Sequence, residues 1–359
     1  MTIILIVGTR PQIIKSVPIV HEALKQGLEI QIIHTGQHYD HALSQIFFEE
    51  LSPPEPFANL NIGSGSQVFQ IAAIMSALEK HLIDKKPSLV LVPGDTNSAL
   101  AGALTTVKLG LPLAHIESGA RCYDMKMAEE INRRLIDHCA ELLFAPTLSC
   151  QRNLQNESVV GEIFFTGDTM YDAFLNFSTK SQDSDILERL HLVSEEYSIL
   201  TTHRAENVDD PDKLKGILSA LGKSTIPIIF PIHPRTRKRL EDNNISLNIK
   251  NIRPIEPVGY LEMLKLLKNA KIVITDSGGL QKEAFWSKIP CITIRDRIEW
   301  VETVEMGVNI VTGVLPSRII QAMEYFNTNY DDVKKKFNHN PFGDGKASEK
   351  IVEIIKRMR

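Results

Sequence analysis

Short apolar segments rich in Val, Ile and Leu alternate with longer amphipathic segments along most of this 359-residue chain. Buried strands are indicated by TIILIVG, EIQIIHTG, SLVLVPGD, LPLAHIE, ELLFAPT and EIFFTGD. Between them, residues 67–85 and 99–109 have the pattern of helices. This alternation predicts parallel βαβ units with helices on both faces of the sheet.

The same alternation restarts after residue 190. Further strands are indicated by YSILTTH, PIIFPIH, NIRPIEP, KIVITDSGG and IPCITIRD, with helices at 212–221 and 260–269. A polar segment between the halves, LNFSTKSQDSDILERL, predicts a hinge. We therefore predict an α/β protein of two Rossmann-like doubly wound domains, with the active site in the cleft between them. The predicted domains are 1–168 with a returning C-terminal helix at 345–359, and 169–344.

Composition narrows the range of partners. The net charge of −4 gives no reason to expect a nucleic acid or an anionic membrane as partner. The apolar start lacks the basic region of a signal peptide, and no apolar stretch is long enough to span a bilayer. Four scattered cysteines without a C-x-x-C pair indicate reduced thiols and a cytoplasmic protein.

The predicted strands end in polar residues. Asp95, Glu117, His203, His233 and Asp276 each stand at such an end. Ligands of open parallel sheets bind beyond the carboxyl ends of the strands. These side chains are therefore candidates for one binding site.

The segment TDSGGLQKEA carries the strongest phosphate signal. A strand runs into Ser277, Gly278 and Gly279 and then into a helix, whose free N–H groups favour an anion. Glu283 on the same helix is a candidate for ribose hydroxyls. The alternative is an ordinary Asp/Ser helix cap with a tight turn.

A second candidate phosphate loop is GTRPQIIK, where Arg10 and Lys15 are available at a helix start. Neither loop matches G-x-G-x-x-G or a Walker A loop. NAD and ATP are therefore disfavoured, and no cofactor is expected. The histidines His34, His38 and His41 lack supporting carboxylates or thiols, so a loop of surface histidines is favoured over a metal site.

The segment HIESGARCYDMKMAEEINRR concentrates acids and arginines. Glu129 with Arg133 and Glu130 with Arg134 have the i,i+4 spacing of helix ion pairs, each contributing roughly 0.3–0.5 kcal/mol. Alternatively, several acids near one site raise one another's pKa and divide into acid and base roles. The residues alone leave both interpretations open.

Taken together, these motifs resemble the non-hydrolysing UDP-N-acetylglucosamine 2-epimerase family. The resemblance is carried, in order, by GTRPQIIKSVP, GDT, HIESGAR, AEEINRR, TTHRAEN, HP, EPVGYLEML, TDSGGLQKEA and FGDGKAS. It implies a GT-B-like fold, UDP bound mostly by the C-terminal domain, a homodimer and no nicotinamide. It also implies that UDP-GlcNAc is epimerised to UDP-ManNAc through anti elimination of UDP and its re-addition to a glycal.

The resemblance assigns roles to particular residues. The catalytic set that it implies is Asp95, Glu117, Glu129 and His203. The implied binding set for the UDP-sugar is Arg10, Lys15, Arg133, Arg204, His233, Pro257, Tyr260, Ser277, Gly278, Gly279, Glu283 and Arg295. No metal is implied.

Several positions depart from the family pattern. Gln12 replaces the glutamate of the first loop, Ala128 replaces a proline before the Glu-Glu pair, and Trp300 stands where many bacterial members have arginine. The last variant also occurs in relatives that act on 2,3-diacetamido uronic sugars, which is the alternative substrate class. A GT-B glycosyltransferase and a catalytically silent UDP-sugar binder are the alternatives from other classes.

Overall fold

A computed structural model describes residues 2–37 and 54–358 of the chain. It contains two compact units, one formed by Met1–Asn176 with Pro341–Arg359 and the other by Phe177–Asn340. The predicted boundaries at residues 168 and 344 were given for independently folding domains. They stay a prediction.

The first unit is built on a parallel seven-stranded sheet of order β3-β2-β1-β4-β5-β6-β7. Most side chains of its central strands are Val, Ile, Leu or Ala and are buried. The six predicted strands of this half are confirmed, and Ala58–Asn59 is an edge strand that the pattern did not predict. The strands are β1 (Thr2–Val7), β2 (Glu29–His34), β3 (Ala58–Asn59), β4 (Leu89–Pro93), β5 (Leu113–Ile116), β6 (Leu142–Ala145) and β7 (Glu162–Phe165).

Helices cover this sheet, and the last helix of the chain packs against the first. The last helix begins where the carboxylate of Asp172 accepts hydrogen bonds from the backbone N–H groups of Ala347 and Ser348, at 3.1 and 2.7 Å. The helices that lie in this unit or enter it are α1 (Arg10–Lys25), α2 (Gln67–Lys85), α3 (Asn97–Lys108), α4 (Ala128–Cys139), α5 (Leu148–Asn156), α6 (Thr169–Lys180) and, at the C-terminus, α16 (Ala347–Arg357).

The second unit repeats the architecture with a parallel six-stranded sheet of order β10-β9-β8-β11-β12-β13. Its strands are β8 (Ser198–Thr201), β9 (Ile228–Pro231), β10 (Ile252–Ile255), β11 (Ile272–Thr275), β12 (Cys291–Thr293) and β13 (Asn309–Val311). Its helices are α7 (Ile186–Arg189), α8 (Ala205–Val208), α9 (Pro211–Leu221), α10 (Pro234–Asp242), α11 (Tyr260–Lys268), α12 (Gly278–Trp286), α13 (Val301–Glu305), α14 (Pro316–Thr328) and α15 (Tyr330–Lys334).

Residues 175–190, the predicted hinge, hold the end of α6, a short 3-10 helix at Ser181–Asp183 and α7. The boundary between the two units falls within this segment, after Asn176, and its action as a hinge stays a prediction. A prediction about one histidine was wrong. His34 is not a surface histidine, because it ends β2 with 7% of its surface exposed and its Nδ1 accepts a hydrogen bond from the Gly36 N–H. His38 and His41 lie outside the described residues.

Candidate active site

In both sheets, the polar residues at the strand ends lie where neighbouring parallel strands finish. In the first unit β4 and β5 are paired from Val90–Leu113 to Pro93–Ile116, so Asp95 and Glu117 follow adjacent strand ends. In the second unit β8 and β11 are paired in register through Thr201. Each unit therefore presents its own cluster of polar groups.

The loop after β1 is held by Gln12, which is 1% exposed. Its Oε1 accepts from the N–H groups of Gly8 and Thr9 at 2.9 and 3.2 Å, and its Nε2 donates to the Pro93 carbonyl at 2.8 Å. Arg10, one of the predicted phosphate ligands, is the first residue of the helix that follows and is half-buried. Gln12, one of the departures from the family pattern, thus links the loop after β1 to β4.

Lys15, one turn further along α1, meets one of the predicted catalytic acids. Its Nζ lies 2.7 Å from Oε2 of Glu117, and both side chains are nearly buried. Glu117 has a φ of +67°, a left-handed backbone that costs a residue with a side chain about 1–3 kcal/mol. Such strain is typical of residues whose position matters for function.

Asp95 is paired with Arg133, which the i,i+4 spacing had suggested as a partner of Glu129. Nη2 of Arg133 donates to Oδ2 of Asp95, and the Asn132 side chain donates to the backbone oxygen of Asp95 at 2.9 Å. Arg133 also donates from Nε to the main-chain carbonyl of Glu129 at 3.2 Å. The structure thus brings Arg133 to the Asp95 carboxylate, and the contact it shows with Glu129 is through the backbone rather than the expected carboxylate.

The neighbouring acid, Glu130, forms the i,i+4 pair with Arg134 that its spacing suggested, but it does not lie on a solvated helix face. Glu130 is fully buried and accepts hydrogen bonds from the N–H groups of Cys122 and Tyr123 at 3.0 and 3.1 Å. It also pairs with Arg133 and with Arg134, at 3.5 and 3.3 Å. A buried carboxylate needs such partners, so Glu130 organises the loop that precedes α4.

A second buried carboxylate, Asp137, lies behind the strand ends and was not predicted. It contacts Nδ1 of His115 at 2.6 Å and Nη1 of Arg121 at 2.7 Å. Burial acts to raise the pKa of Asp137, but the charges of His115 and Arg121 outweigh it and hold the pKa below its ordinary value. The available signal was His115 itself, since a polar side chain within a buried strand requires a partner.

The second unit is organised by Asp276, which is fully buried at the end of β11. Its carboxylate accepts from the hydroxyl of Thr202 at 2.8 Å and from the N–H groups of His203 and Arg204, each at 3.0 Å. Asn207 adds a fourth donor at 3.1 Å. One carboxylate therefore fixes the loop that carries two predicted diphosphate ligands.

Two predicted site histidines are adjacent. Nδ1 of His203 lies 3.2 Å from the Asp276 carboxylate, and the rings of His203 and His233 are 5.3 Å apart. His233 is the N-cap of α10, and its Nδ1 accepts from the Arg235 N–H at 3.2 Å. The contact with Asp276 favours the His203 tautomer with the proton on Nδ1, which makes Nε2 its basic nitrogen.

The predicted phosphate turn has the strand, cap and helix expected of it. Ser277 caps α12 through Oγ, which accepts from the Leu280 N–H at 3.4 Å, as in the alternative interpretation of this segment. Gly278 and Gly279 form the first turn, and Trp300 donates from Nε1 to the Gly278 carbonyl at 3.0 Å. The Ser277 cap and a bound anion at the helix start are compatible, since further N–H groups of the first turn remain there.

The other predicted ligands of this unit are largely buried. Arg295 forms two hydrogen bonds with Glu299, at 2.8 and 3.1 Å. Tyr260 begins α11 with 3% of its surface exposed and packs edge-on against Phe177, and Pro257 is half-buried in the preceding loop. Glu283 is also buried, within α12.

Lys282, which the sequence analysis did not identify as a candidate, lies beside Trp300, one of the departures from the family pattern. Nζ of Lys282 is 4.2 Å from the centre of the Trp300 ring, and Lys282 is only 2% exposed. A desolvated cation over an indole ring is a stabilising cation–π contact. Trp300 thus orders both α12 and its own loop.

Neither a metal-binding cluster nor a membrane-spanning helix is found among the described residues. Across residues 2–37 and 54–358, no three His, Cys, Asp or Glu side chains are grouped to hold a metal ion. Within the same residues, every helix is too short or too polar to cross a membrane.

Comparison with known proteins identifies the family. The family model for UDP-N-acetylglucosamine 2-epimerase matches residues 22–356. A UDP-N-acetylglucosamine 2-epimerase homolog of Methanococcus maripaludis is 47% identical, covering 100% of both chains. The crystal structure of Methanocaldococcus jannaschii UDP-GlcNAc 2-epimerase in complex with UDP-GlcNAc and UDP has a TM-score of 0.92 at 45% identity, covering 99% of this chain and 100% of the other.

A third relative is named for a different substrate. The UDP-2,3-diacetamido-2,3-dideoxy-D-glucuronate 2-epimerase of Pseudomonas aeruginosa is 41% identical, covering 100% of both chains. The two Rossmann-like units and these matches lead to one assignment. The chain belongs to the UDP-N-acetylglucosamine 2-epimerase family and is an isomerase.

Proposed function

We propose that this enzyme interconverts UDP-GlcNAc and UDP-ManNAc at C2. The observation that carries the proposal is the cluster of acids at the ends of β4 and β5, where Lys15 holds Glu117 and Arg133 holds Asp95. It is supported by relatives named for UDP-N-acetylglucosamine at 47% and 45% identity.

The reaction that fits these groups is elimination followed by re-addition. A carboxylate removes the C2 proton while the bond between C1 and the UDP oxygen breaks, which gives a glycal and UDP. UDP then re-adds at C1, and a protonated carboxyl group returns a proton to the opposite face of C2. Because the C2 hydrogen is weakly acidic, the base and stabilisation of the leaving group must act together.

Residues of both units are proposed to take part in these steps. Asp95, Glu117 and Glu129 supply the proton-transferring carboxyl groups. Arg10, Lys15, His203 and Arg204 stabilise the diphosphate, with His203 Nε2 suited to the leaving oxygen. Ser277 and the first turn of α12 bind phosphate, Glu283 binds ribose, and Pro257 to Tyr260 border the uracil.

Incubation with UDP-GlcNAc in D2O tests the proposal directly. We expect UDP-ManNAc that carries deuterium at C2, since the proton returned to C2 comes from a solvent-exchanged group. Folded protein that binds UDP without C2 exchange would contradict the proposal. A parallel assay with UDP-2,3-diacetamido-glucuronate identifies the preferred donor, and we expect UDP-GlcNAc to be the faster substrate.

We also propose that the enzyme is a homodimer. Helix α2 exposes apolar side chains at Val68, Phe69 and Ile83, with 80%, 59% and 50% of their surface accessible. Apolar residues on one exposed helix favour contact with another protein surface. Light scattering after size-exclusion chromatography should give twice the mass of the 40.3 kDa chain, and Phe69→Glu should shift it toward the monomer.

A further inference from the structure

His115 and Asp137 form a fully buried pair that the proposed reaction does not use. Nδ1 of His115 lies 2.6 Å from Oδ1 of Asp137, and its Nε2 lies 2.8 Å from the carbonyl oxygen of Gly94. A carboxylate and a carbonyl are both acceptors, so both ring nitrogens must donate. Only the imidazolium form of His115 donates from both nitrogens.

The two contacts of this ring reach the candidate acids. Gly94 immediately precedes Asp95 and has a φ of +68°. The direction of its carbonyl group therefore helps to fix the backbone of the turn after β4. The other oxygen of Asp137 accepts from the N–H of Gly119 at 3.1 Å, two residues after Glu117. One carboxylate of α4 therefore holds the turns after both β4 and β5.

Each cation near His115 has a carboxylate partner of its own, Glu157 for Arg121 and Glu117 for Lys15. Asp137 faces two cations, His115 and Arg121, and Arg121 pairs in turn with Glu157 through two hydrogen bonds of 2.9 and 2.7 Å. On the other side of Gly94, Nζ of Lys15 lies 3.2 Å from the position a Cβ would occupy. A neutral His115 would place a bare ring nitrogen against either a carboxylate or a carbonyl, deep in the protein.

We propose that Asp137 holds His115 as an imidazolium, and that this pair is a positioning element for Asp95 and Glu117. The pair touches no reacting atom and acts through the turns it fixes. Its protonation state is independent of the proposed function, while its effect on catalysis rests on that function.

Nitrogen NMR of the full chain with ring-labelled histidine tests the protonation state, with His115→Gln used for assignment. We expect both His115 ring nitrogens to carry a proton in the wild type at pH 8, because each faces an acceptor oxygen. In Asp137→Asn one nitrogen should lose its proton. A neutral ring in the wild type at pH 8 would overturn the proposal.

Steady-state kinetics test the positioning role. In Asp137→Asn we expect kcat to fall roughly 10-fold to 100-fold, as for a misplaced catalytic group, with KM for the UDP-sugar within about 3-fold. The matched control is Asp172→Asn, a buried carboxylate of the same unit that caps α16, which should leave kcat unchanged. Equal kcat in the two variants would refute the positioning role.

The two tests separate the two proposals. If the wild type shows no epimerisation but His115 is doubly protonated, only the proposed function fails. If epimerisation occurs and His115 is neutral, only this inference fails.

Discussion

Lys15 on α1 and Glu117 after β5 form an ion pair of 2.7 Å in which the side chains are only 10% and 12% exposed. The pair joins a residue that resemblance assigns to the diphosphate with one that it assigns to proton transfer. A cation at this distance from a carboxylate in a low-dielectric site has a strong influence on its protonation. Lys15 is therefore expected to affect the proton-transfer step as well as binding.

Lys15→Met tests this double role. Loss of a neighbouring cation favours the protonated carboxyl group, so the acid limb of the kcat/KM profile against pH should move to higher pH. We also expect kcat to fall by about 10-fold or more. Lys25→Met on the same helix is the control, because Lys25 is 77% exposed and should leave the profile unchanged. A Lys15→Met profile of wild-type shape would restrict Lys15 to binding.

Glu129 and Glu130 are neighbours for which the structure predicts opposite phenotypes. Glu129→Gln removes a proposed proton-transfer group that is half-buried, so kcat should fall about 100-fold with little change in stability. Glu130→Gln removes the charge that faces two arginines in the interior, so the free energy of unfolding should fall by about 2–3 kcal/mol.

Progress curves and urea unfolding of both variants separate these effects. If Glu129→Gln turns over like the wild type, Glu129 serves only the start of α4. A fully stable Glu130→Gln variant would mean that the loop at Cys122 and Tyr123 needs no charged acceptor.

The parts of the fold that follow from local periodicity could be predicted. Helix 67–85 begins and ends at the residues that the amphipathic pattern indicated, and both sheets contain the predicted strands. The edge strand Asn309–Val311 was missed because it begins with a polar residue, which leaves only two apolar residues to show a pattern. The helices within the predicted hinge at 175–190 were not foreseen, because polarity alone does not distinguish a loop from an exposed helix.

The candidate site shows a similar limit. The rule that ligands bind at strand ends made Asp95, Glu117 and His203 site candidates. Their positions are set by the order of strands in the sheets. It did not predict that Arg133 pairs with Asp95, since i,i+4 spacing suggests only partners on the same helix. The buried acids Asp137 and Asp276 were overlooked as partners because their function is visible only when distant loops come together.

The acid dependence of stability should reveal the Asp137 cluster. Because the pKa of Asp137 is held below its ordinary value of 3.8, its charge stabilises the fold above that pH, and this contribution is lost as the pH falls through the lowered pKa. The difference in unfolding free energy between wild type and Asp137→Asn should therefore widen as the pH rises from about 3 to 6. Urea unfolding over this range measures it.

Asp172 provides the contrast with opposite sign. Burial raises its pKa against the hydrogen bonds from Ser348 and Ala347, so its ionisation costs stability as the pH rises through that raised value. The difference in unfolding free energy between wild type and Asp172→Asn should therefore decrease as the pH rises over the same range. Parallel curves for both variants would contradict the assignment of the shifts.

Gln12→Glu restores the residue that the family pattern expects and tests the role of the amide. Nε2 of Gln12 donates to the Pro93 carbonyl at 2.8 Å, whereas an ionised carboxylate would face that oxygen without a proton. We expect a loss of about 1–3 kcal/mol in unfolding free energy at pH 8. Burial favours the protonated form, which restores the donor, so the loss should shrink toward pH 5. Gln12→Met loses the amide at every pH and should show a constant deficit, whereas wild-type stability of Gln12→Glu at pH 8 would show that Pro93 needs no donor.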